Sequence, residues 1–187
     1  MSRFVEINPT RLRDWCGLVL REGKGVNAYR DALDAAKIKI GDAADEILGR
    51  PAFPYASTIR DLELVLLSAA DLGVESESSL ADVYNRARQV GLQLCPAEAG
   101  PQLRLAYRDQ PRGEALHIAM EPIATYRGDP TILALANWGS GLLLIGSDGR
   151  SESMVLRKSR FVFAVPTSGR LEAMREPQGD PTSSGGL

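Results

Sequence analysis

Gln102-Leu103-Arg104-Leu105-Ala106-Tyr107-Arg108 and Glu114-Ala115-Leu116-His117-Ile118-Ala119-Met120 are the stretches on which a fold assignment turns. In the first, Leu103, Leu105 and Tyr107 alternate with Gln102, Arg104 and Arg108. In the second, Leu116, Ile118 and Met120 alternate with Ala115, His117 and Ala119. A period of two is the signature of a half-buried strand, and Asp109-Gln110-Pro111-Arg112-Gly113 between them is turn chemistry. The spacing predicts an antiparallel hairpin over residues 102–108 and 114–120. A register that keeps both apolar sets on one face puts Leu105 opposite Leu116, Leu103 opposite Ile118, and Arg104 opposite His117 on the other face.

Working outward, residues 131–138 and 142–146 read as a second hairpin around Gly139-Ser140-Gly141. Both of its faces are apolar, which predicts a central position covered on both sides. Phe161-Val162-Phe163-Ala164-Val165 reads as a last strand stopped by Pro166. Upstream, Ser79-Leu80-Ala81-Asp82 resembles a capping box and opens a helix to about Gln89. Residues 58–72 carry Ile59, Leu62, Val65, Leu66 and Ala69 at helical spacing. A further helix is expected from Asn27 to Leu48, broken near Gly41-Asp42 with Asp42 as cap, and another over residues 9–22 with Leu12, Trp15, Cys16 and Val19 on one stripe. The expected class is therefore α+β, with N-terminal helices followed by an antiparallel sheet of about five strands. The expected division is a helical extension (1–49), a Pro/aromatic linker (50–57), an α+β domain (58–166) and a disordered tail (167–187) rich in Ser, Gly and Pro.

Composition narrows the function classes. The chain has 187 residues, 44% hydrophobic and 25% charged, with a net charge of −2. Interspersed acids and bases do not build the concentrated basic face that nucleic acid requires. The start, MSRFVEINPT, has no apolar core of a signal peptide, and no apolar run is long enough to span a bilayer. These features point to the cytoplasm and away from a membrane, and the richness in Arg, Ala and Gly points to a bacterial source. Cys16 and Cys95 are far apart and form no CxxC pair.

Motifs for cofactor or metal chemistry are missing from the sequence. Gly23-Lys24-Gly25 lacks the rest of a phosphate loop, and Gly139-Ser140-Gly141 lacks the third glycine of a dinucleotide fingerprint. His117 is the single histidine, which excludes a metal site built on several histidines. No cofactor is expected. The densest polar constellation supplies the candidate ligand-binding residues Glu98, Arg104, Gln110, Glu114, His117 and Glu121. Carboxylates beside an Arg and a His can divide acid and base roles, because each neighbour moves the other's pKa. The plainer reading makes one carboxylate the partner of Arg104 in a structural ion pair.

Within this region, Cys95-Pro96-Ala97-Glu98-Ala99-Gly100-Pro101-Gln102-Leu103-Arg104-Leu105, then Asp109-Gln110-Pro111, Gly113-Glu114 and Ile118-Ala119-Met120-Glu121-Pro122-Ile123, carry a recognisable pattern. The chain resembles a group of uncharacterised bacterial proteins sharing C-P-A-E-x-G-P-x-L-R-L, D-Q-P-x-G-E and I-A-M-E-P-I, with a Phe-Val-Phe strand like residues 161–163. The resemblance covers about residues 60–165 and implies no particular activity. Three classes of function are then expected in order. The first is a non-catalytic binding or regulatory module of the bacterial cytoplasm, taking a small anionic ligand or a protein partner. The second is a small enzyme using carboxylates with Arg104 or His117. The third is a nucleic-acid binder using exposed arginines and the helix over 79–89.

Overall fold

The computed structural model describes residues 17–20, 25–55, 59–74 and 78–166. The expectations for residues 1–16, for the loop at 75–77 and for the tail after Pro166 lie outside the described residues. In chain order the elements are β1 Gly17–Leu20, α1 Val26–Ala35, β2 Lys39–Ile40, α2 Asp42–Leu48, β3 Arg60–Ser68, β4 Ser78–Ser79, α3 Leu80–Gln89 and α4 Ala99–Ala106. They continue as β5 Ala115–Ile118, β6 Ile123–Ala124, β7 Pro130–Trp138, β8 Gly141–Asp148, β9 Met154–Val155 and β10 Arg160–Val165.

The fold is α+β, but the expected arrangement of N-terminal helices before a five-stranded antiparallel sheet is overturned. One mixed, eight-stranded sheet runs β1-β3-β10-β5-β7-β8-β2, with β6 also on β7. β10 runs parallel to β5, and β2 runs parallel to β8. The helices are spread along the chain, and a short β4–β9 ladder stands apart from the main sheet.

Several local expectations change with it. Residues 60–68 form a strand, not a helix, because β1 and β10 flank it and its apolar run is buried from both sides. Residues 17–20, expected at the end of a helix, are the edge strand β1. The stretch from 27 to 48 is two helices separated by β2, and Gly41, not Asp42, occupies the N-cap of α2. The largest correction concerns residues 102–108. Ala99–Ala106 is helix α4, whose buried face is Ala99, Gly100, Pro101, Leu103 and Arg104. Pro101 sits in the first turn, where its missing N–H leaves no bond unmade. The pairing of 102–108 with 114–120 therefore does not form, and β5 lies between β7 and β10 instead.

Other elements follow their sequence signals. β7 and β8 form an antiparallel hairpin from Thr131 against Asp148 to Trp138 against Gly141, and Gly141 takes φ 99, a conformation suited to glycine. α3 begins with a capping box: Asp82 N donates to Ser79 Oγ (3.2 Å), and Ser79 N donates to Asp82 Oδ2 (2.9 Å).

Residues paired across a ladder share a face, so the registers sort the sheet into two sides. Leu116, Leu135 and Leu144 point to the first side, as do Leu133 and Gly146. That side carries α4, where Gly100 approaches Leu133, and α2, where Ala43 approaches Gly146. α1 joins the same layer through Tyr29, which bonds Glu98 at the start of α4. His117, Ala134, Ile145 and Phe161 point to the second side. There α3 sets Tyr84 edge-on against Phe163 and donates from its hydroxyl to Met120 O at 3.1 Å. Leu33, Ile47, Leu48 and Phe53 belong to the same buried cluster as Leu116, Leu135 and Phe163. Phe53, from the Pro/aromatic stretch at 50–57, is thus a core residue.

Candidate functional site

The structure parts the candidate residues into three places. The first is the layer between α1, α4 and the first sheet face. Glu98, only 1% exposed, accepts from the Tyr29 hydroxyl at 3.0 Å, and Gln102 Nε2 donates to that same hydroxyl at 2.8 Å. Burial first, then the neighbouring Glu98 carboxylate, pushes the Tyr29 phenol above its ordinary pKa. Arg104 is fully buried, with Nη1 donating to Gln110 Oε1 and Nη2 to the Tyr107 carbonyl. Gln110 Nε2 in turn donates to Leu135 O (3.1 Å) and Glu114 O (3.3 Å), so one amide ties the end of α4 to β7 and to the start of β5. Burial, then the Arg108 charge, lowers the Arg104 pKa to about 10, which leaves it a cation at neutral pH. Among the described residues no carboxylate forms an ion pair with Arg104, and its Nε has no hydrogen-bond partner.

Glu114 lies at the rim of this layer. It accepts from the Tyr107 hydroxyl at 3.1 Å and pairs with Arg160. Glu121 is exposed and sits 3.5 Å from Arg88. Neither carboxylate meets Arg104 in an ion pair.

The second place holds His117 alone. α4 covers the sheet face opposite the one His117 occupies, so Arg104 and His117 are on opposite sides of the sheet and cannot act on one substrate. The imidazole stacks on Phe161, centroids 5.1 Å apart, beside a cavity of about 60 Å³. Leu80, Ser147, Asp148, Ser153 and Met154 also line this cavity, which is well below the size of about 300–1,000 Å³ usual for an organic-ligand pocket. Burial pushes the His117 pKa below its ordinary value. Asp148 is pulled down to about 2 chiefly by hydrogen bonds from Arg150, which holds it at 2.6 Å. This pair is local, between residues two apart, and exposed to solvent.

The third place was not among the candidates. On the second sheet side α3 and the β4–β9 ladder cover the half around Phe161 and Phe163, and the remaining half has no described helix over it. There β5 and β7 present small side chains, Ala115, which is half-buried, and Ala134 and Ala136, which are fully buried. Leu143 and Ile145 of β8 stand along one wall, paired with Ala136 and Ala134, and both are half-buried. Trp138, 47% exposed, closes one end, and Met154, 70% exposed, stands beside His117 at the other. Leu143 and Ile145 are absent from the apolar side chains that pack on the core, whereas Leu142 and Leu144, on the other side of the same strand, pack there. The signal was present in sequence as small and large apolar residues alternating on both strands, read there as a covered surface.

Among the described residues no group of three or more His, Cys, Asp or Glu side chains is placed to hold a metal ion, and no helix is long and apolar enough to cross a membrane. Fold and strip together define an α+β protein with a mixed sheet that, among the described residues, carries α1, α2 and α4 on one side and α3 with the β4–β9 ladder on the other. No family model matches the chain, and no match is found among curated proteins or solved structures.

Proposed function

We propose that this protein is a non-catalytic binding or regulatory module of the bacterial cytoplasm that meets a protein partner through the apolar strip of Trp138, Leu143 and Ile145. One observation carries the reading: exposed Trp138 continues into half-buried Leu143 and Ile145 as one uncharged apolar strip on the second sheet side, with the alanines beside them fully buried. Single exposed apolar residues are ordinary on a protein surface, but a contiguous apolar strip on a central strand pair marks a contact surface. The alternatives have less support. For a small enzyme using carboxylates with Arg104 or His117, no carboxylate among the described residues ion-pairs with Arg104, and His117 stacks on Phe161 on the other side of the sheet. Glu98 and Gln110 are engaged in contacts that hold helices to the sheet.

The test is a display selection of random 16-residue peptides on the folded protein, with counter-selection on the Leu143→Lys variant. A second variant, Trp138→Lys, serves if Leu143→Lys melts early. Peptides that bind wild type and lose at least tenfold in affinity on either variant support the reading. Binders indifferent to both substitutions, or none at all, overturn it.

A further inference from the structure

We infer that residues 150–156 form an acid-released strap, held shut over the cavity beside His117 as long as its imidazole carries no charge. The inference stands apart from the binding reading above and uses none of Trp138, Leu143 and Ile145.

The strap is pinned at both ends and loosely held between them. At one end Gly149 N donates to Pro130 O at 2.9 Å. At the other, Arg157 O accepts from Ala70 N at 3.0 Å and Ser159 O from Ala69 N at 2.9 Å. Between these anchors the backbone is bonded to the start of α3. Ser78 pairs with Val155 and Ser79 with Met154, while Leu80 N donates to Ser153 O and Ala81 N to Ser151 O, both at 2.9 Å. A ladder of two residue pairs has little stability of its own. Of the strap's large apolar side chains only Val155 is buried; Met154 is 70% and Leu156 61% exposed. Little apolar area therefore opposes its opening, so this segment opens well before the sheet does.

Ser153, Met154 and Val155 of the strap line the same cavity as His117 and Phe161. Among the described residues no hydrogen bond reaches the His117 ring. The groups around it offer no free counter-charge. β7 sets Ala134 beside His117 and β10 sets Phe161 there, and neither is charged. Arg160, next along β10, is on the first side with Leu116 and pairs with Glu114. β8 brings Asp148, the one other ionisable group lining the cavity, and both of its oxygens already accept from Arg150. The strap adds Arg150 and Glu152, and α3 adds Asp82, bound in its capping box; all three are exposed. Burial keeps the imidazole below its ordinary pKa, so it takes a proton more readily once the strap lifts and water reaches it. The open form therefore gains as pH falls from the ordinary value of about 6.5 through the closed-state one. Opening uncovers Phe161 and Leu80, which are 2% and 3% exposed while the strap is shut, so acid enlarges the apolar surface beside α3.

Hydrogen exchange of the native full chain in low urea, read by NMR and corrected for intrinsic rates, tests this. At pH 7.5 the Leu80 and Ala81 amides should exchange through an opening that urea barely accelerates, while the β7 and β8 amides wait for global unfolding. At pH 5.5 the small opening should be about three- to tenfold more populated, the upper figure being the ceiling for one proton on an imidazole of ordinary pKa about 6.5. His117→Phe should abolish that gain, and His117→Gln serves if the first variant fails to fold. The imidazole's own NMR titration should fall below about 6.5. Leu80 and Ala81 amides that exchange only together with those of β7 and β8 overturn the strap. A gain at pH 5.5 that survives the His117 substitution, or no gain at all, overturns its release by acid. A His117 pKa at or above about 6.5 overturns it in favour of a contact with Asp148 that acid tightens.

Discussion

Replacing Arg104 by alanine should destabilise the fold severely without touching the binding strip. The guanidinium makes two charge-assisted hydrogen bonds, to Gln110 Oε1 and to the Tyr107 carbonyl, each worth about 1.5–3 kcal/mol. Truncation leaves Gln110 Oε1 and Tyr107 O short of a donor inside the protein. It also opens a cavity where one of the largest fully buried side chains stood. One effect opposes these: the folded state no longer buries a cation that lacks a carboxylate and has an unpaired Nε. The balance is a loss of about 3–5 kcal/mol, or about 6–20 °C in Tm for a domain of this size. Arg104→Met keeps the apolar stem and removes the buried charge, so it should lose only about 1–3 kcal/mol. Urea titration followed by circular dichroism measures both. An Arg104→Ala protein within about 0.5 kcal/mol of wild type would refute the clamp.

Four further outcomes are expected. His117 titrates below its ordinary pKa when folded, so its contribution is complete above the unfolded value of about 6.5 and is lost as pH falls through the folded one. His117→Phe should flatten the stability curve between pH 7.5 and 5.5, and parallel curves for the two proteins would contradict this. Gly146→Ala puts a Cβ 2.7 Å from Ala43 Cβ and 2.9 Å from Thr131 Cγ2, which should cost about 1–3 kcal/mol by thermal melt. Cys95 is buried and its thiol pKa is raised by that burial, so in a Cys16→Ser background a disulfide reagent should react only after denaturation. Deletion of residues 1–49 removes Leu33, Ile38, Ala44, Ile47 and Leu48 from the shared core and should abolish cooperative melting.

Elements whose cause is local were readable from sequence. α3 announces itself by a capping box and a helical stripe, and both are sequence patterns. The β7–β8 hairpin depends on its own turn and on strands adjacent in the chain. α4 was misread because its buried face contains Gly100, Pro101 and Arg104, which no hydrophobic periodicity detects, while Leu103, Leu105 and Tyr107 imitate a strand. β3 was misread for the complementary reason: a strand buried from both sides has no alternation to show. The parallel pairing of β10 with β5 joins residues more than forty positions apart, and nothing in either segment specifies the other.

The polar residues singled out by sequence prove to be those a fold needs when a helix is packed on a sheet through a buried arginine. Their density reflects that packing: Arg104 requires Gln110, Gln110 requires the carbonyls of Glu114 and Leu135, and Glu98 requires the hydroxyl of Tyr29. A buried polar group draws others around it because each must be satisfied, so a polar cluster in sequence is as much a sign of a clamp as of a site. The binding strip has the opposite character. Ala134, Ala136, Leu143 and Ile145 look like core because the central hairpin is apolar on both faces, and Ala134 and Ala136 are indeed fully buried, as are Leu133, Leu135 and Leu144 beneath α2 and α4, while Leu143 and Ile145 are half-buried. How much of Leu143, Ile145 and Trp138 stays accessible depends on what is laid across the second face, a property of topology that periodicity does not record. A partly exposed apolar strip is therefore found only by placing the elements around it, and its chemistry then follows from residues that the sequence pattern counts as interior.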